Sequence, residues 1–101
     1  MIDLKICTYN VRGLRQNRKR RTIFTYLHSF KHDIYLLQET HSDINSEKYW
    51  ANEWGGKVIC SHGTTSSRGV AILFNPCFDV SILSLKSDVR GRYTFLMYQE
   101  K

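Results

Sequence analysis

Between Leu4 and His32 the sequence has no acidic residue, while eight Lys or Arg fall in the same stretch. Over all 101 residues there are 15 Lys+Arg against 9 Asp+Glu, a formal charge of +6, so the rest of the chain is slightly acidic. Long apolar runs are missing as well. Stretches such as Val70 to Phe74 fall far short of the roughly 18 residues a membrane span needs, and Asp3 and Lys5 interrupt the opening segment before a secretory apolar core can form. The cysteines, Cys7, Cys60 and Cys77, contain no CxxC pair and are odd in number. That argues against a disulfide or zinc framework and for reduced, buried small residues in an intracellular protein. Three catalytic signatures are also absent. No Gly-x-Ser-x-Gly elbow occurs, the polar loop from Gly63 to Gly69 lacks the Gly-Lys-Ser/Thr ending of a P-loop, and no HExxH surrounds His28 and His32, which read as a solvent-exposed pair.

What remains is a globular composition, 42% hydrophobic and 13% aromatic, on a length that allows one small domain or part of a larger one. Leu4 to Tyr9 reads as a strand that stops at a turn over Asn10-Val-Arg-Gly13. Asn17 is expected to cap a helix running to about His32, because Ile23, Leu27 and Phe30 recur on one face. Ile34 to Leu37 is a continuous apolar run, as in a strand covered on both faces. Residues 4 to 39 therefore read strand–helix–strand, a crossover between strands of one sheet. A short helix over Ser46 to Trp54, ending at Gly55-Gly56, precedes four strand candidates at 57–61, 69–74, 78–85 and 93–98. The later half reads as an antiparallel meander, and the whole as α+β, or mixed α/β. The last strand runs straight into Gln99-Glu-Lys101. A sheet of these segments would leave one apolar face with too few helices to cover it, the pattern expected of a piece of a larger domain.

Six basic residues, Arg12, Arg15, Arg18, Lys19, Arg20 and Arg21, crowd into ten positions. Such a block repels itself unless solvent or a polyanion neutralises it. A solvated basic helix start or a nuclear-import patch explains it as well as phosphate contacts do, until a second signal is found.

Asn10 and Glu39 are the two residues that the pattern itself singles out. Each stands just past the C-terminal end of a strand in the same crossover unit, the edge where open sheets with parallel strands bind ligands. A carboxylate there is solvated, paired with an Arg, or bound to a hard ion such as Mg2+. His41 and His62 follow strand candidates and could reach the same rim.

Three strings occur in order: Thr8-Tyr-Asn-Val-Arg-Gly-Leu14, Leu36-Leu-Gln-Glu-Thr-His41 and Ser66-Ser-Arg-Gly-Val-Ala-Ile-Leu-Phe74. Together they resemble the endonuclease/exonuclease/phosphatase superfamily, which includes exonuclease III, apurinic endonucleases and DNase I. Within it they are most similar to the endonuclease domain of LINE-type non-LTR retrotransposons. The resemblance implies the N-terminal portion of a four-layer α/β-sandwich, with residues 1–101 an incomplete domain. It implies Mg2+ or Mn2+ held by Glu39, with Asn10 in the same metal and phosphate site, and phosphodiester hydrolysis by in-line attack of water. The partner is then DNA, met through its phosphate backbone by the 12–21 block and by Arg68, in an intracellular and nuclear setting. In the LINE setting, the nick exposes a 3′-hydroxyl that primes reverse transcription. The Gly-Asp-x-Asn motif and terminal Asp-His pair of the superfamily are not found, and no Asp follows Asp88, so robust nuclease activity is not expected of these residues alone. Two other readings stay open: a fragment of an apurinic endonuclease or exonuclease III-like repair nuclease, and a non-catalytic basic module that binds nucleic acid.

Overall fold

The computed structural model describes residues 5–62, 68–78, 80–87 and 94–100, the last two stretches as backbone. The order is β1 (Ile6–Asn10), α1 (Asn17–Phe30), β2 (Ile34–Gln38), α2 (Ser46–Trp54), β3 (Val58–Ser61), β4 (Val70–Phe74), β5 (Val80–Ser87) and β6 (Thr94–Glu100). Four strands form one sheet in the order β1-β2-β4-β3, and β5 and β6 pair as a separate two-stranded sheet. β1 and β2 are parallel, with Asn10 opposite Gln38. β4 runs antiparallel to both β2 and β3. The fold is mixed α/β. The strand–helix–strand reading holds, but the later strands are not one meander, since β4 returns to lie beside β2.

Alternation along β2 sorts the core. Tyr35 and Leu37, both at most 1% exposed, join one cluster with Phe24 and Leu27 of α1 and Trp50 and Trp54 of α2. Ile34 belongs to a second cluster with Ile59, Ile72 and Phe74, against which Leu36 and Phe78 pack. The second face of the sheet is thus buried at these four positions, where the segment count predicts exposure.

Trp54 is the hub of the helical side. Phe24 and Tyr35 meet it edge-on at centroid distances of 5.4 and 5.2 Å, and the His28 ring stacks on it at 3.8 Å. Its Nε1–H donates to the Phe74 carbonyl (2.6 Å), so the indole is satisfied as well as packed. His28 also bonds the Trp54 carbonyl through Nε2 (2.9 Å). It is therefore half-buried, and it is not one of an exposed pair. α1 ends at Phe30 on a left-handed Lys31, which leaves His32 beyond the helix. Gly55 closes α2 in the left-handed conformation at φ 82°, as the Gly-Gly pair suggested.

Asn17 does not cap α1. Gln16 holds the cap position without a side-chain bond, and the Asn17 amide oxygen accepts from Arg20 instead. Of the cysteines, Cys60 is buried, Cys7 partly so, and Cys77 exposed, against the expectation for Cys77. Among the described residues no helix is long and apolar enough to cross a membrane.

Removing the hub measures what it contributes. Trp54→Ala should lower stability by about 3–5 kcal/mol, seen as a shifted urea midpoint. A midpoint matching the parent chain would contradict this packing.

Candidate functional site

The site is built where the parallel strands end. The register that sets Asn10 opposite Gln38 brings the next residue, Glu39, within reach of the Asn10 side chain, and Asn10 Nδ2 donates to Glu39 Oε2. The Asn10 amide oxygen is already taken. It accepts from the Arg12 N–H (3.1 Å), an Asx turn that fixes which end of the amide faces the carboxylate.

Beyond the strands the chains stay zipped. Val11, Gly13 and Leu14 donate their N–H groups to the carbonyls of Gln38, Glu39 and Thr40. On the other side, Thr40 and His41 donate to the carbonyls of Gly69 and Arg68. Glu39 therefore sits in irregular backbone tied to two neighbouring loops.

Left-handed conformations gather here. Arg12, Glu39, His41 and Arg68 have φ between 52° and 65°, alongside Gly13 at 94° and Gly69 at 89°. Non-glycine residues in this region cost free energy and tend to cluster at functional sites. The two glycines are also places of close approach. A Cβ on Gly13 would lie 2.8 Å from His41 Nδ1, and one on Gly69 2.5 Å from Thr40 Oγ1.

Glu39 is exposed, and among the described residues its carboxylate forms no ion pair with a Lys or Arg. With Oε2 engaged by Asn10, Oε1 is left as an oxygen donor at the surface. An oxygen ligand with room for water is what a hard divalent cation such as Mg2+ requires, so the donor fits the ion. Beside Asn10 a shallow cavity of about 390 Å3 is lined by Tyr9, Asn10, Val11, Arg12, Lys19 and Ile23.

Residues 7–95 match the Endonuclease/Exonuclease/phosphatase family. The chain belongs to this family. It is 34% identical over 97 residues to a transposon TX1 uncharacterized 149 kDa protein of Xenopus laevis, covering 96% of this chain and 7% of that one. Among solved structures it resembles an AP endonuclease from Archaeoglobus fulgidus, with 29% identity and a TM-score of 0.60 over 87% of this chain and 34% of the other. It also resembles an AP endonuclease from Leishmania major, with a TM-score of 0.67 over 92% of this chain and 35% of the other; at 20% identity this likeness concerns the fold. The chain thus spans about a third of the length of these solved nucleases and a far smaller share of the transposon protein. The resemblance carried by the three sequence strings is borne out, and so is the DNase I/exonuclease III type of architecture.

In this family chain the 12–21 basic block divides. Arg20 is a correction: it is 2% exposed and unavailable to a phosphate. Its Nε and one terminal nitrogen donate to Glu53 (2.5 and 3.1 Å), and its other donors go to the Leu14 and Arg15 carbonyls and to Asn17. It also lies over the rings of Tyr49 and Trp50. Truncating one partner of such a buried pair costs about 3–5 kcal/mol, so Arg20 belongs to the fold. The neighbouring Arg18 and Arg21 are exposed, as are Arg12 and Arg68. Lys19 is partly buried and donates to the Arg12 carbonyl (2.8 Å).

Arg15 is half committed. It pairs with Asp43 at 2.8 Å, tying the loop after β1 to the loop after β2. Asp43 also accepts from the Asn45 and Ser46 backbone and from the Ser46 hydroxyl, which anchors the start of α2. His41 packs against Gly13 at the rim. His62 lies at the far strand, with Nδ1 on Ser42 Oγ (2.9 Å) and Nε2 on Glu47 (3.2 Å). The loop residues 63–67, weighed as a phosphate loop, fall outside the described residues.

The Arg15 side chain, then Ser46, hold the Asp43 carboxyl down from its usual 3.8 to about 2. A lowered carboxyl stabilises the fold above its unfolded value and loses that contribution as pH falls through about 2. A carboxyl carbon NMR titration should therefore give Asp43 a midpoint near 2, moving up in Arg15→Ala. A midpoint near 4 in the parent chain would refute the anchor.

Proposed function

We propose that this chain forms the metal-holding edge of a divalent-cation-dependent DNA endonuclease of the LINE retrotransposon type. The Asn10–Glu39 pair at the rim carries this reading. Glu39 would hold Mg2+ or Mn2+, and the ion, when bound, would draw charge from a phosphate oxygen during hydrolysis.

The chain's own residues do the positioning. The Asn10 amide, fixed by the Arg12 N–H, orients the carboxylate and keeps Glu39 from swinging into solvent. Its oxygen is engaged, so direct ligation of the ion by Asn10 would require the amide to turn over and lose that turn. Asn10 is accordingly a positioning residue, with Glu39 the ligand. Arg12, Arg18, Lys19, Arg21 and Arg68 supply positive charge to the DNA backbone, Arg15 contributes less because it pairs with Asp43, and Arg20 contributes none.

The transposon relative supports the LINE reading, since the shared stretch includes all three strings. The Archaeoglobus fulgidus likeness favours a repair-type AP endonuclease as the second reading. On either reading the substrate would be DNA, and the setting in a eukaryotic cell would be the nucleus. The superfamily's Gly-Asp-x-Asn and Asp-His motifs are not found in the sequence, so we expect no robust hydrolysis from these 101 residues by themselves.

Two measurements test this together. The isolated chain should leave supercoiled plasmid intact in Mg2+; nicking that appears and then vanishes in Glu39→Ala would overturn the inactivity. It should still bind random duplex with an affinity that falls steeply with salt, and Arg18→Ala/Arg21→Ala should lower the slope of log K against log salt by about 2. A salt-independent affinity, or a slope unchanged in that double variant, would remove DNA contact from these residues.

A further inference from the structure

A second cluster of donors lies away from the Asn10–Glu39 pair. Cys60 Sγ, a ring nitrogen of His62 and a carboxylate oxygen of Glu47 all lie within 4.8 Å of one another. Two elements build it. Cys60 packs in the core on the helical side of β3, His62 follows just past the end of that strand with its ring against Ser42 and Glu47, and Glu47 comes from the first turn of α2. Glu47 Oε1 and His62 Nε2 are already 3.2 Å apart.

The surroundings prepare the imidazole for a metal. Its Nδ1 is held by Ser42 Oγ (2.9 Å), and Ser42 Oγ is 3.1 Å from Thr40 Oγ1. Ser42 and Thr40 are both fully buried. A hydrogen bond on one ring nitrogen fixes the tautomer and orients the other, the arrangement found behind metal-bound histidines. A cavity lined by Ile44, Glu47, Lys48, Ala51, Val58 and His62 gives the Glu47 and His62 side chains access to solvent, while Cys60 is buried.

We propose that Glu47, Cys60 and His62 form a site for a borderline-soft divalent cation, Zn2+, with solvent in the fourth position. The donor set decides the class of ion. A thiolate with an imidazole selects Zn2+ over Mg2+, which keeps to oxygen ligands. Bonds of about 2.0–2.3 Å in a tetrahedron need only a small closure of the observed separations. On binding, the thiol proton passes to solvent as the sulfur coordinates. The ion would clamp the start of α2 to the end of β3. Through Ser42 and Thr40 it would also stiffen the loop that carries Glu39. Neither Asn10 nor Glu39 takes part, so this inference stands apart from the reading of the rim.

Co2+ titration of the reduced 101-residue chain, in a Cys7→Ser/Cys77→Ser background, tests it. A thiolate-to-cobalt charge-transfer band should saturate at one equivalent and be displaced by Zn2+. It should vanish in Cys60→Ser, weaken by about tenfold or more in His62→Gln, and persist in Glu39→Ala. Because Cys60 is buried and its replacement puts the fold at risk, the half-buried His62→Gln, with a far-ultraviolet spectrum matching the parent, decides alone if needed. Absence of the band at one equivalent, full affinity in His62→Gln, or loss of the band in Glu39→Ala would each overturn the proposal.

Discussion

The carboxylate of Glu39 is held at the end of a parallel strand pair by backbone that no ordinary strand ending would adopt. Parallel pairing of β1 with β2 is what puts an amide beside it, because residues at matching ends of parallel strands emerge at the same edge. Left-handed backbone at Arg12, Glu39, His41 and Arg68 then turns the exit loops over that edge. Hydrogen bonds from Val11, Gly13 and Leu14 on one side, and to Gly69 and Arg68 on the other, are what balance the conformational cost. Loosen the core beneath and this edge has nothing to hold it. Trp54, Tyr35 and Leu27 fix α1 and α2 against the sheet, and the loops leave from those elements.

Charge is divided between structure and surface. Arg20 and Glu53 form an inward pair whose donors are all used, and they join the start of α1 to the end of α2. Arg15 and Asp43 form an outward pair that links two loops. The first kind is costly to break, about 3–5 kcal/mol, whereas exposed pairs contribute about 0–1 kcal/mol. A count of basic residues hides this difference. Of the six positions in the block, Arg20 is fold, Arg15 is half engaged, Lys19 is partly buried on the Arg12 carbonyl, and Arg12, Arg18 and Arg21 are exposed.

Much of this could be read in the residue pattern. The apolar stripe Ile23, Leu27 announced α1, the run from Ile34 to Leu37 announced a strand buried on both faces, and the turn residues after Tyr9 and Gln38 put Asn10 and Glu39 on one edge. Other features left no local trace. Left-handed backbone is signalled by glycine, and here Glu39, His41 and Arg68 adopt it because loop-to-loop hydrogen bonds overrule their propensity. Arg20 looks like its basic neighbours until the helix phase is compared with the position of Glu53, 33 residues on. His28 faces Trp54 for the same reason of phase. The close spacing of Cys60 and His62 at the end of β3 is a usable signal, but their third partner sits on a helix that only the fold brings near.

A direct test of the rim is paramagnetic broadening by Mn2+ in the NMR spectrum of the chain. Trace Mn2+ should broaden the Asn10 side-chain amide and the backbone amides of Arg12 and Thr40 first, Mg2+ should reverse it, and Glu39→Gln should abolish it. Broadening centred elsewhere, or unchanged in Glu39→Gln, would contradict a cation held by Glu39.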